Sequence, residues 1–267
     1  MITTNATGSL TYQGDTFQIV LHRYSDPQRL NMARNAAIYL GKSDRDNIRR
    51  PLSIIKMGHV PEVMRGEYAE FEFIDVTKEV YDHLITYTTR NMRVAGGNRA
   101  LSSDDFAMPS DKVKDPQTVN EAIDNSMWNY KQLLENGETK QVARSAMPIA
   151  AKLNPFVYQF NFVSLMQSVF PQRLWEKGAQ GNTVKVVKGM WDLVHHVDQA
   201  LWGAVYEYHG EHVVEWKLVQ KQLRKTGLTI EQFISAASNM VLHNEIANDT
   251  KLDLLLRKMY GSQKTMW

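Results

Sequence analysis

The stretch EYAEFEFIDV, residues 67–76, alternates polar and apolar side chains. Tyr68, Glu70 and Glu72 fall on one side, and Ala69, Phe71 and Phe73 on the other. Only an extended strand sends alternate residues to opposite faces, so this segment is read as a half-buried strand. Residues 9–24, SLTYQGDTFQIVLHRY, carry the same alternation and are read as one or two strands. Residues 155–163, PFVYQFNFV, give another.

Helical signals surround these strands. Asp26-Pro27 places an N-cap aspartate before a proline at the first helical position, and Leu30, Ala33, Ala37 and Leu40 form the stripe that follows, ended by Gly41. A second helix is expected from Ser43 to about Met57, with Pro51 as its weak point. Thr77 caps a third, which runs through Val80, Leu84 and Ile85 into the loop at 88–106. Further helices are expected over 117–136, in QVARSAMP, from Ser164, and over 182–208 as one long element. The last 50 or so residues read as wholly helical. Strands scattered among dominant helices do not make a regular βαβ array, so the fold class is α+β. The domain reading is 1–205 for the main domain and 206–267 for a helical C-terminal extension packed on it.

Composition removes several functions. The chain of 267 residues has no cysteine, which excludes disulfides, thiolate metal sites and a cysteine nucleophile. Net charge is only +2, which argues against direct nucleic-acid binding but leaves small anionic ligands open. The start, MITTNATGSL, has no basic and apolar signal pattern, and no apolar run approaches the roughly 18 residues of a membrane span. A soluble cytoplasmic protein is expected (host cytoplasm if the source is viral). There is no G-x-G-x-x-G, no G-x4-G-K-[ST], no G-x-S-x-G and no H-E-x-x-H.

The loop TTRNMRVAGGNRALSSDDF, residues 88–106, concentrates Arg90, Arg93, Asn98, Arg99, Ser102 and Ser103 around Gly96-Gly97. Guanidinium forks, hydroxyls and free backbone N–H groups together suit phosphates. The plain alternative is a solvated basic loop, with Arg90 and Arg93 complementing a helix C-terminus. Arg144 and Arg173 also stand at the edges of ordered elements, so a polyanion held between elements is one reading of all three clusters. His195, His196, His209 and His212 lie near Asp198, Glu207 and Glu211, but adjacent histidines point to different helix faces and no metal is assigned. Trp191, Trp202, Tyr206, Tyr208 and Trp216 fit core or subunit packing, or a stacking platform for a planar ligand.

The order of these pieces resembles the flavin-dependent thymidylate synthases, the ThyX family, across about residues 15 to 200. LHRYSDPQRLNMARNAAIYLGK is similar to the family's opening strand, turn and helix. GHVPEVMRGEYAEFEF is similar to its G-H-E-S-x-x-E-H-A-x-F-x-F with a three-residue insertion, matching Glu67, Ala69, Phe71 and Phe73, with Tyr68 in place of the histidine. Asn91-Met92-Arg93 stands where the family has R-H-R, followed by Asn98 and Ser102. QVARSAMP and QFNFVSLMQSVFPQRLWEKGAQ match at Arg144, Pro148, Asn161, Ser164, Leu165, Arg173, Ala179 and Gln180. Departures fall at Asn91, Met92, Arg99, Gln141 and Val163.

The resemblance implies a small antiparallel sheet among the helices, and a homotetramer with sites between subunits. It implies FAD beside a deoxyuridine monophosphate, methylenetetrahydrofolate as one-carbon donor and NADPH as reductant. It places Arg144, Ser102 and Arg99 at the nucleotide, Arg173 at the pyrimidine carbonyl edge as the catalytic group, and Arg93, Asn98, Asn161, Glu67 and Arg90 at FAD. The implied reaction is dUMP to dTMP. The departures keep two alternatives open: methylation or hydroxymethylation of dUMP or dCMP to a modified pyrimidine, and a non-catalytic assembly protein on the same fold.

Overall fold

The computed structural model describes residues 1–5, 8–57, 63–97, 101–109, 113–176, 181–227, 229, 231–232 and 235. The chain forms two compact units, Met1–Gly210 and Glu211–Trp267. The first is built on a six-stranded antiparallel sheet. In chain order its strands are β1 (Ile2–Thr4), β2 (Leu10–Gln13), β3 (Gln18–Tyr24), β4 (Tyr68–Ile74), β5 (Met92–Ala95) and β8 (Phe156–Asn161). In space they run β1-β2-β3-β4-β8-β5. A separate two-stranded sheet pairs β6 (Leu101–Phe106) with β7 (Ala151–Leu153).

The alternation at 67–76 becomes pairing register. Ile19 faces Phe73 and Leu21 faces Phe71 across β3 and β4, and Phe71 and Phe73 face Tyr158 and Phe156 across β4 and β8. All six side chains are buried, each aromatic ring contributing on the order of 1.5–3 kcal/mol by leaving water. On the other face His22 meets Glu72 at 2.7 Å and Arg23 meets Glu70 at 3.6 Å.

Helix α1 (Leu30–Tyr39) begins later than the Asp26-Pro27 signal predicts. Asp26 still caps it, from further upstream: its two carboxylate oxygens accept from the Leu30 and Met32 amides, while Arg29 turns left-handed at φ 61°. Helix α2 (Arg50–Lys56) is shorter than expected. Pro51 starts it rather than breaking it, because a first-turn N–H has no helical partner to lose. Helix α3 (Lys78–Leu84) ends well before Arg90, which corrects the reading of one helix running into the arginines. Arg90 instead adopts φ 63° in a turn, and Arg93 lies in β5, which satisfies the open edge of β8. Residues 101–106, read as loop, are strand β6.

Helix α4 (Pro116–Glu135) is capped by Asp115, which accepts from the Thr118 amide at 3.1 Å. The short α5 (Lys140–Ala143) is capped by Thr139. Helix α6 (Phe162–Ser164) continues into π turns at Leu165–Val169 and Pro171–Trp175. The helix predicted over 182–208 is two, α7 (Gly181–Val197) and α8 (Gln199–His209). Asp198 divides them: its carboxylate caps α8 through the Leu201 amide and pairs with Arg29, so a continuing helix would forfeit both. Gly189 lets α7 sit close on the sheet, since a Cβ there would lie 2.8 Å from the Tyr12 ring. Trp175, Trp191 and Trp202 pack with Phe162 and Phe170 mostly edge to face, and Trp202 is fully buried. Trp175 and Trp202 belong to the core, and Trp191 is half-buried. Most of the described part of the second unit is helix α9 (Glu211–Thr226). Among the described residues no helix is long and apolar enough to cross a membrane.

Gly96 fixes where β5 departs from β8. It has φ 76°, and a Cβ there would lie 2.4 Å from the Pro155 carbonyl oxygen and 2.6 Å from Phe156 Cα. Gly96→Ala is expected to lower the unfolding free energy by about 2 kcal/mol or more, through strain plus overpacking. Urea titration of both proteins checks this; equal midpoints would contradict it.

Candidate functional site

Strand β8 ends at Asn161, and the chain turns there into the helix that carries Gln172 and Arg173. Asn161 caps that turn: its Oδ1 accepts from the Val163 amide at 3.0 Å. Its Nδ2 donates to the carbonyls of Arg65 and Glu67 at 2.9 and 3.0 Å. This buried amide therefore stitches the start of β4 to the end of β8, and both its oxygen and its nitrogen bond within the chain. Beyond it the two π turns follow. A π turn places one more residue per turn than an α-helix and so changes which side chains face a given side. In the second of them, Gln172 and Arg173 both reach Tyr87.

Tyr87 is the hub of the site. Its hydroxyl accepts from Arg173 Nε at 2.9 Å and donates to Gln172 Oε1 at 3.0 Å. Its carbonyl accepts from Asn91 Nδ2 at 2.8 Å and from the Tyr158 hydroxyl at 3.1 Å. The Arg173 guanidinium carbon lies 5.8 Å from the Tyr87 ring centroid, within cation–π range. Burial pushes the Tyr87 phenol above its ordinary pKa, against the nearby Arg173 charge, so the hydroxyl keeps its proton.

Two further groups flank this hub. Arg93 Nη1 donates to the Tyr81 hydroxyl at 3.1 Å, and Arg93 stands opposite Tyr158 in the β5–β8 register. Burial raises the Tyr158 phenol as well. On the other side, His83 Nδ1 lies 2.7 Å from the buried Thr183 hydroxyl. Burial first, and then the Arg173 charge, hold the His83 imidazole below its ordinary pKa, which favours its neutral form.

The residues expected from the sequence now have places. Arg93, Arg173, Asn161 and Glu67 are joined through hydrogen bonds or strand pairing. Asn91 is the link that sequence reading missed: its Oδ1 accepts from the Asn161 amide at 2.9 Å while its Nδ2 holds the Tyr87 carbonyl. Glu67 is buried, accepts from the Ser25 hydroxyl, and has its carboxyl raised above the ordinary range by desolvation, with the Ser25 hydrogen bond opposing. Arg90 is exposed in its left-handed turn. Arg144 opens a 3-10 turn after α5, half-buried, and is not among the groups bonded to Tyr87. Asn98 and Arg99 lie outside the described residues, as does the Ser102 side chain. Among the described residues no group of three or more His, Asp or Glu is placed to hold a metal ion.

Tyr81, Tyr87, Tyr158 and Gln172 carried no sequence signal of their own. Tyr158 alternates correctly for the buried face of β8, and its hydroxyl gives no warning of a partner at the Tyr87 carbonyl.

The comparisons with known proteins bear on this arrangement directly. Residues 68–198 match the family model described as Thy1, thymidylate synthase complementing protein. This segment is a domain of the Thy1 (ThyX) family. It contains Arg90, Arg93, Arg144, Asn161 and Arg173, and Glu67 immediately precedes it. The chain also resembles, in fold, the crystal structure of a UMP/dUMP methylase, PolB from Streptomyces cacaoi, bound with 5-Br dUMP. The TM-score is 0.58 at 13% sequence identity, over 73% of this chain and 96% of that one. No curated protein matches the chain in sequence.

Within the Thy1 domain, Asn91 bonds on both sides inside the chain. Asn91→Ala removes an acceptor from the Asn161 amide and a donor from the Tyr87 carbonyl. It is expected to cost roughly 1–3 kcal/mol of stability, measured by thermal or urea unfolding. The Glu67 shift gives a signed pH dependence. A folded carboxyl with a raised pKa contributes stability that is full below the ordinary glutamate range and is lost as pH rises through its folded pKa. Glu67→Gln is expected to make unfolding free energy less dependent on pH just above that range; an unchanged slope would contradict the buried-carboxyl assignment.

Proposed function

We propose that the protein is a flavin-dependent enzyme that transfers a one-carbon unit to C5 of a pyrimidine deoxynucleoside monophosphate, dUMP to dTMP. The observation that carries this is the Arg173–Tyr87–Gln172 constellation, tied to Arg93 on a Thy1 domain. The resemblance in fold to a UMP/dUMP methylase supports the substrate class. A chain without cysteine suits it too, because a thiolate nucleophile at the pyrimidine is excluded.

The donor set fits the ligands this reaction needs. Arg93 and Arg173 supply permanent positive charge and forked donors, suited to phosphates and carbonyl oxygens. Among the described residues, a Cβ built at Gly97 would meet only Arg93 Nη1, at 3.8 Å. A flavin diphosphate suits that combination. Bound FAD supplies the hydride, methylenetetrahydrofolate the carbon, and NADPH the reducing electrons. The chain's own part is to orient and polarise. With Nε fixed on Tyr87, Arg173 presents its terminal N–H groups to the pyrimidine carbonyl edge and stabilises negative charge that develops there. The neutral His83 adds no competing charge beside it.

Arg144 and Ser102 take the nucleotide phosphate in this reading, and the working unit is a homotetramer in which they reach a neighbouring copy's Arg173. Mixing Arg144→Ala protomers with Arg173→Ala protomers is then expected to restore activity by forming sites that lack neither group. No gain on mixing would show that both groups act within one chain.

The direct test is incubation of the purified protein with dUMP or dCMP, FAD, methylenetetrahydrofolate and NADPH, followed by product mass. A methyl adduct of dUMP is the expected product. A hydroxymethyl adduct or a dCMP product would redirect the reading to modified pyrimidines, and a colourless protein with no product would favour the non-catalytic one. Arg173→Ala is expected to lower kcat/KM by about a hundredfold or more.

A further inference from the structure

The Tyr87 hydroxyl bonds on both sides, and the direction of those bonds is not free. An arginine Nε can only donate. At 2.9 Å it therefore uses the Tyr87 oxygen as acceptor. The single hydroxyl proton must then point elsewhere, and the second partner, Gln172, lies at 3.0 Å. The proton is directed at Gln172, whose side-chain amide turns its Oε1, not its Nε2, toward Tyr87. An amide's orientation is set by its hydrogen-bond network, and this pairing gives the Tyr87 hydroxyl one donor and one acceptor partner. Because burial keeps the Tyr87 phenol protonated, the donor persists at neutral pH.

The consequence appears on the far side of the amide. Gln172 Nε2 is turned away from Tyr87, Gln172 is exposed, and among the described residues its nitrogen has no partner. Arg173 shares the Tyr87 hydroxyl through Nε, and among the described residues its terminal nitrogens have no hydrogen-bond partner. Gln172 and Arg173 therefore offer an edge made solely of donors. Uracil shows carbonyl acceptors at positions 2 and 4 on either side of its N3–H, so the Gln172 NH2 group at O4 with the Arg173 guanidinium at O2 matches it. Cytosine shows an acceptor at 2 but an amino donor at 4, which would face an N–H group with no acceptor between them.

We propose that Tyr87 is a positioning residue that locks the Gln172 amide with its NH2 group toward the nucleotide, and that the Tyr87–Gln172 pair selects uracil over cytosine. This rests on the nucleotide reading given above. It adds two residues that nothing in the family motif marks, and it chooses dUMP over dCMP on hydrogen-bond grounds alone. Leaving a polar group unmatched discriminates far more strongly than a change of shape does.

The test is binding of dUMP and of dCMP, measured by calorimetry with FAD present, for the natural protein, Tyr87→Phe and Gln172→Leu. The natural protein is expected to favour dUMP. Tyr87→Phe keeps the ring but frees the amide to flip, so the dUMP-to-dCMP affinity ratio is expected to fall by roughly tenfold. Gln172→Leu is expected to lower the ratio likewise, through weaker dUMP binding. A purely structural role for Tyr87 would weaken both nucleotides alike and leave the ratio unchanged, which overturns the inference while the function stands. A natural protein that prefers dCMP also overturns it. One that binds neither nucleotide overturns the inference and the proposed function together. Unfolding midpoints of both variants show whether a loss of binding is a loss of fold, and the ratio in Gln172→Leu, on the exposed side chain, decides the matter if Tyr87→Phe unfolds.

Discussion

Strand β8 is the element through which the charged groups of the site are placed. One edge pairs with β4, which brings Glu67 alongside Asn161; the other pairs with β5, which sets Arg93 opposite Tyr158. Its last residue caps the helix that delivers Gln172 and Arg173. Backbone pairing is the rigid part of this device. The strands cannot slip by one residue without turning Phe71, Phe73, Phe156 and Phe160 out of the core. The hydrophobic face thus fixes the register, and the register fixes the site.

The polar network on this frame runs from Glu67 through Asn161 and Asn91 to the Tyr87 carbonyl, and from the Tyr87 hydroxyl to Arg173 and Gln172. Each link is an ordinary hydrogen bond worth only about 1 kcal/mol net, but leaving any of them unmade in a partly buried place costs more. That asymmetry explains why Asn91 is suited to its position. A short amide with one acceptor and one donor bridges an N–H and a C=O that would otherwise be stranded, which a guanidinium, all donors, does not do.

Much of the fold was legible in the sequence. The alternation over 67–76 and 155–163 is a property of each residue's own face, and the structure has strands there. Helix ends were less legible where tertiary contacts decided them. Asp198 reads as one more polar residue in a long amphipathic run until Arg29, far away in sequence, is seen to pair with it. Strand β5 is short, exposed and next to glycines, so nothing local distinguishes it from loop; the open edge of β8 makes it a strand.

The site was legible as residue types, not as an arrangement. Arg93 and Arg173 stood out because charge at the edge of an ordered element is conspicuous. Tyr87 and Gln172 did not, because a tyrosine near a helix end and a glutamine after a proline carry no signature; their roles arise from π-turn geometry, which does not show as a period. The measurement that tests the central claim most directly is a crystal structure of the assembly with dUMP bound. The expected result is pyrimidine carbonyl oxygens within hydrogen-bonding distance of the Arg173 guanidinium and Gln172 Nε2, with Tyr87 still bonded to both side chains. Density for the nucleotide at any site remote from Arg173, with those groups facing only solvent, would contradict it.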